Sequence, residues 1–175
     1  MRSQRSGVIV NISSASALGP RPSMGLYAAS KWALEGMSQG LAQEVAPFGI
    51  RVLIVQAGAF STNMMNAVNI TAKPLTEDYM KTEVGKWWDM FDRQVTTFAA
   101  PNDVDKGCQG IFEVVTGTKR GKGKEGFLRL PLSADTAERT LVHMEHLKTG
   151  YDTFKDIWES TSHDDGEMKS FIPKK

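Results

Sequence analysis

The sequence predicts an α/β protein built on parallel strands, and two observations carry that prediction. Gly7-Val8-Ile9-Val10-Asn11-Ile12-Ser13 and Ile50-Arg51-Val52-Leu53-Ile54-Val55 are short, mainly apolar, β-branched runs, the signature of strands covered on both faces. Between them, Ala28, Ala29, Ala33, Leu34, Met37, Leu41 and Val45 recur at three- and four-residue steps, which marks one helix from Leu26 to about Ala46. Strand, helix, strand in that order is a crossover unit, and such units are right-handed almost without exception.

The elements follow in order. The first strand opens at Gly7, and Gly19-Pro20-Arg21-Pro22 marks a loop after it. Pro47-Phe48-Gly49 stops the helix. The second strand ends at Ala57-Gly58. Residues 63–100 read as a long, partly helical excursion with Pro74, Trp87, Trp88 and several methionines. The two tryptophans fit a substrate cleft and a core about equally, because apolar pockets and cores use the same side chains. Asn102-Asp103-Val104 can cap a helix to about Val115. Phe127–Leu132 reads as a third strand at an edge, where Pro131 is tolerated. Ser133 or Asp135 opens a helix to about Leu147, and Gly150 is expected to separate it from another around Tyr151–Glu159. Residues 1–163 are expected to form one domain, and residues 164–175 a polar, frayed tail.

Composition narrows the function classes. With 21 basic against 20 acidic residues the net charge is +1, which gives no electrostatic case for nucleic acid or an anionic membrane. The longest mainly apolar runs are strand-sized, far short of a membrane span. The single cysteine, Cys108, excludes an intrachain disulfide and fits a reducing, cytoplasmic setting. Its apolar helical neighbours make it a small core residue. His143 and His146 are three apart on a helix without a companion carboxylate placed to bind metal, so they read as a solvated face. The basic, Gly-rich stretch Lys119–Lys124 reads as a solvated loop.

Three residues carry candidate chemistry. Tyr27 and Lys31 are spaced i, i+4 on one helix face, and Ser14 lies just past a strand end, where ligand sites of open α/β sheets collect. A phenol, with a pKa of about 10, is a poor acid–base group near neutrality. A neighbouring ammonium favours the phenolate and so makes proton transfer accessible. A serine hydroxyl can donate to a carbonyl oxygen while the phenol moves the proton. Taken alone, Tyr-x-x-x-Lys also describes an ordinary surface pair.

The surroundings decide between the two. Gly7–Ser14, Tyr27-Ala28-Ala29-Ser30-Lys31 and Val55-Gln56-Ala57-Gly58-Ala59-Phe60-Ser61-Thr62 closely resemble consecutive motifs of the short-chain dehydrogenase/reductase family. The family's serine lies thirteen residues before its tyrosine, which here selects Ser14 over Ser13. The resemblance implies Ser14, Tyr27 and Lys31 as the catalytic set, with Tyr27 the proton carrier and Lys31 also on the cofactor ribose. The family's Pro-Gly-x-Val/Ile-x-Thr segment holds the nicotinamide. Gly58 and Thr62 match it, while Ala57 replaces the proline and Phe60 the aliphatic residue. Cofactor-binding positions are therefore Tyr27, Lys31, Gly58, Phe60 and Thr62.

The resemblance runs over nearly all 175 residues and implies the last three strands of a doubly wound, Rossmann-like parallel sheet with helices on both faces. It implies NAD or NADP as cofactor, a small carbonyl or alcohol substrate, hydride transfer, and a homo-oligomer. The family's Gly-rich phosphate turn between a first strand and a helix does not occur in these residues, because Gly117–Gly123 follows a helix instead. The chain is thus expected to be cut, with an open edge on its first strand, and to bind NAD(P) weakly by itself. Two other readings stay open: a cofactor-free isomerase or cyclase that reuses the pocket, and an inactive interaction protein derived from the same family.

Overall fold

The structure, a computed structural model, describes residues 1–64, 73–94 and 100–161. The polar tail expected at 164–175 lies outside the described residues. Three parallel strands, β1 (Gly7–Ser14), β2 (Ile50–Ala57) and β3 (Arg129–Pro131), form a sheet in the order β1-β2-β3. The pairing runs Gly7↔Ile50 to Ser14↔Ala57 on one side of β2 and Ile54↔Arg129 to Gln56↔Pro131 on the other. Among the described strands β1 therefore has one unpaired edge, as the sequence leads one to expect.

Side-chain alternation assigns each strand residue to a face. Val8 and Val10 share a face with Leu53 and Val55, and these pack with Leu130 against Ile111, Val114 and Val115 of α5 (Val104–Thr116). That apolar cluster is the core. Arg51, on the same face, donates to the backbone carbonyls of Val115 and Glu125, both at 2.8 Å. The opposite face of the sheet meets α2 (Gly25–Val45). The layering is helix, sheet, helix.

The β-branched runs form both long strands where the sequence placed them, and β3 is the expected edge strand. Asp103 caps α5, its carboxylate accepting from the Lys106 amide at 3.0 Å. Ser133 rather than Asp135 caps α6 (Ala134–Thr153). Two short helices, α3 (Glu77–Met80) and α4 (Glu83–Gln94), occupy the described part of the long excursion. Trp87 is partly buried there beneath the Arg21 guanidinium, 4.6 Å from the ring centroid.

A short helix, α1 (Ala15–Leu18), follows β1 directly and leads into the loop expected at Gly19-Pro20-Arg21-Pro22. Three expectations are corrected. Gly150 does not break the last long helix: α6 continues to Thr153, and Phe154 separates it from α7 (Lys155–Glu159). One glycine costs a helix only about 1 kcal/mol. Cys108 is exposed, since the buried side of α5 falls on Gly107 and Val114. His143 is partly buried rather than solvated: its ring meets Trp32 edge-on at 5.5 Å and its Nε2 is buried. His146 is exposed, and no metal-binding cluster occurs among the described residues.

Glu113 links α5 to the basic loop. It is buried and accepts from Arg120 Nε at 2.6 Å and from Gln109 Nε2 at 3.0 Å. The Arg120 hydrogen bond, helped by Gln109, holds its carboxyl below the ordinary 4.5. A carboxyl whose folded value is depressed stabilises the fold above its unfolded value and loses that contribution as pH falls through the folded one. Glu113→Gln is therefore expected to lower the urea midpoint at about pH 7, with the gap from wild type narrowing as pH falls below the ordinary 4.5. A gap that stays constant with pH would contradict the assignment.

Candidate active site

The site collects at the carboxyl end of β1. Ser14 ends the strand and caps α1, its Oγ accepting from the Ser16 amide at 3.1 Å. It is buried, 8% exposed, and that capping bond uses a lone pair, so its proton remains available for donation. Lys31 crosses from α2 to the same strand end and donates through Nζ to the Ile12 carbonyl at 3.0 Å. Its ammonium stands 5.9 Å from the centroid of the partly buried Tyr27 ring, one turn earlier. The loop that links Ser14 to this helix includes Ser23 at φ 66°, a left-handed conformation uncommon outside glycine. Such strain persists where surrounding structure over-determines it.

The second segment lies on the neighbouring strand. Ala57 is the register partner of Ser14, so Gly58 begins its loop beside the serine. A Cβ on Gly58 would overlap Ser133 Oγ and stand 2.6 Å from Asp135 Oδ1, which is why this position takes glycine. Beyond it, Asn102 Nδ2 donates to the Ala59 carbonyl at 2.6 Å, and Phe60 and Asn102 form an isolated parallel bridge. The Phe60 ring packs on Gly107 of α5, where an added Cβ would lie 2.7 Å from its Cε1. Thr62 is exposed, with Oγ1 accepting from the Met64 amide at 3.4 Å.

The fold thus brings Ser14, Tyr27, Lys31 and Gly58 to adjacent strand ends. It turns the Phe60 ring away toward α5 and leaves Thr62 on an exposed loop. One open cleft among the described residues, of about 490 Å³, lies between Phe60, α5 and β3, and another is lined by Arg21, Arg139, His143 and His146. Neither is lined by Ser14, Tyr27 or Lys31. Arg139 joins α6 to the loop after α1 by donating to the Gly19 carbonyl and, at 3.5 Å, to Ser16 Oγ.

Sequence reasoning missed a buried polar cluster immediately beneath this site. Glu35, 2% exposed, accepts from Ser13 Oγ at 2.7 Å, from Gln56 Nε2 at 3.0 and 3.1 Å, and from Arg129 Nε at 2.9 Å. A signal existed: Tyr27, Lys31 and Glu35 fall at i, i+4 and i+8 on one helix face.

Fold and site define an α/β protein with a serine, a tyrosine and a lysine gathered at the carboxyl end of a parallel sheet. The short chain dehydrogenase family model matches residues 1–73. The chain is 48% identical over 71 residues to a 3-ketodihydrosphingosine reductase of Bacteroides thetaiotaomicron, covering 41% of this chain and 26% of that protein. It is 32% identical over 160 residues to the oxidoreductase calM of Penicillium decumbens, covering 85% of this chain and 49% of that one. Among solved structures, a short-chain dehydrogenase from Streptomyces avermitilis superposes with a TM-score of 0.72 at 30% identity, covering 93% of this chain and 55% of that one. The chain is thus similar to short-chain dehydrogenases in sequence over residues 1–73 and in fold over most of its length. It spans between about a quarter and a half of the length of these curated relatives.

Proposed function

We propose that the chain carries the proton-transfer centre of an NAD(P)-linked oxidoreductase that interconverts a small-molecule carbonyl and its alcohol. The observation that carries this reading is the placement of the Lys31 ammonium between the Tyr27 ring and the end of β1, beside Ser14. In the reducing direction Ser14 donates a hydrogen bond to the substrate oxygen and Tyr27 gives it a proton. The Lys31 ammonium, held at the Ile12 carbonyl, faces the ring that gives up the proton. Oxidation reverses each step.

Bound NAD or NADP supplies or accepts the hydride. The donor set suits the nicotinamide end of such a molecule: Lys31 has one of its N–H groups on the Ile12 carbonyl, leaving two for ribose hydroxyls. Gly58, Phe60 and Thr62 would line the nicotinamide, largely through main chain at Phe60, since its ring is engaged at Gly107.

Assembly as a homo-oligomer in the cytoplasm belongs to the same proposal. Leu26 and Met37 on α2 are exposed, at 92% and 60%, and exposed apolar side chains on a helix supply surface for association. No helix among the described residues is long and apolar enough to cross a membrane. The test is turnover of a panel of ketones, aldehydes and secondary alcohols with each nicotinamide, followed by cofactor absorbance and product analysis. Carbonyl reduction coupled to cofactor oxidation is expected. A product formed equally well without any nicotinamide would overturn the reading.

A further inference from the structure

We infer that Glu35 is a positioning residue, a buried carboxylate that fixes the ends of all three strands relative to the helix bearing Tyr27 and Lys31. The inference rests on the proposed function for its catalytic meaning and on geometry alone for the anchoring. Ser13 belongs to β1, Gln56 to β2 and Arg129 to β3, so each strand donates to the one carboxylate. Ser13 and Gln56 are register partners, and Arg129 pairs with Ile54 two residues before Gln56. All three side chains therefore project from the α2 face of the sheet near its carboxyl end.

The positions next to these donors are the ones proposed to act. Ser14 follows Ser13 directly, and Gly58 lies two residues past Gln56. Along α2, three consecutive turns each hold a residue of the Asn11–Ser13 stretch of β1. Lys31 holds the Ile12 carbonyl, Glu35 the Ser13 hydroxyl, and Ser38 Oγ accepts from Asn11 Nδ2 at 2.8 Å. A buried charge is tolerated only when its hydrogen-bonding capacity is filled in good geometry. This one ties helix and strands at a defined register, because sliding either element breaks several charge-assisted bonds together. The distance between Ser14 and the Tyr27–Lys31 pair is thereby set by a residue that need not touch substrate. Displacements of about 1 Å in such a constellation can cost on the order of 100-fold in rate.

The experiment compares Glu35→Gln and the milder Ser13→Ala with the unaltered chain by amide hydrogen exchange and by steady-state kinetics. Glutamine keeps the volume but replaces one acceptor oxygen with a donor facing Gln56 and Arg129. Exchange at residues 13–16 and 56–58 is expected to accelerate by about tenfold or more, with that of 110–115 in α5 unchanged, the pattern of local rather than global opening. Where turnover is measurable, kcat should fall by about tenfold or more with KM for the carbonyl substrate little altered. Unchanged exchange at the strand ends, or uniform acceleration that includes α5, overturns the anchoring. A local exchange change with unaltered kcat overturns the catalytic role. If Glu35→Gln does not fold, Ser13→Ala alone decides by the same readings. Absence of nicotinamide-linked turnover in the unaltered chain would count against the proposed function, while the exchange pattern still decides the anchor.

Discussion

Replacing Tyr27 by phenylalanine is expected to lower turnover by about 100- to 10,000-fold while leaving the fold intact, the range associated with loss of a general acid or base. The substitution removes one hydroxyl and keeps the ring, so the partly buried aromatic surface beside Lys31 is retained. Lys31 also keeps its bond to the Ile12 carbonyl, which does not involve the phenol. The melting temperature should therefore stay close to that of wild type. The measurement is single-turnover rate at saturating substrate together with thermal unfolding. Wild-type turnover in a folded Tyr27→Phe protein would remove Tyr27 as the proton carrier.

The second large effect concerns Gly58. An alanine there brings a methyl group onto Ser133 Oγ and close to Asp135 Oδ1. Ser133 cannot simply yield: its hydroxyl caps α6 and also bonds Asp135 Oδ1 at 2.6 Å and Thr136 Oγ1 at 2.8 Å. Relief requires either that the serine rotate and abandon the cap or that the turn after β2 move. Loss of an N-cap costs about 0.5–2 kcal/mol. The strained turn raises that to about 2 kcal/mol or somewhat more, or about 4–8 °C in melting temperature for a chain of this size. Because Gly58 adjoins Ala57, the partner of Ser14, the shift is expected to reach the site and weaken nicotinamide binding as well. Calorimetric unfolding and cofactor titration check the two parts. An alanine variant with unaltered melting would show that Ser133 accommodates the methyl freely.

The two long strands and the helix between them were legible because each rule they obey is local. A β-branched run bounded by glycine, a 3.6-residue apolar period and a proline stop act within one window of sequence. The placement of Ser14 at a strand end and of Tyr27 and Lys31 on the following long helix was legible for a related reason, since each position follows from the strand and helix patterns themselves. Cys108 misled because nearby apolar residues do not fix the phase of a helix on its sheet. The buried face is set by where β2 and β3 lie, and that turns Gly107 and Val114 inward. Gly150 misled because a glycine weakens a helix without ending it. For the Glu35 cluster the sequence held only the helix face of the acid, not its partners. Its partner Arg129 stands 94 residues away, and no local pattern states which buried acid meets which distant base.

The strand that bears Arg129 has a consequence for the order in which the molecule forms. β1 and β2 are joined through α1 and α2 and pair over eight residues each, whereas β3 contributes three residues and reaches β2 only after a much longer length of chain. Closing the longer loop costs more chain entropy for fewer ladder bonds. The β1-α2-β2 unit is therefore expected to assemble first and β3 to dock on it late, bringing with it the guanidinium that completes the charge on Glu35. In refolding, the early species would hold its long ladder but carry a buried acid with one donor missing. Interactions absent from the transition state govern how fast a protein comes apart rather than how fast it forms, so weakening β3 should shorten the lifetime of the native state and leave the rate of reaching it nearly unchanged.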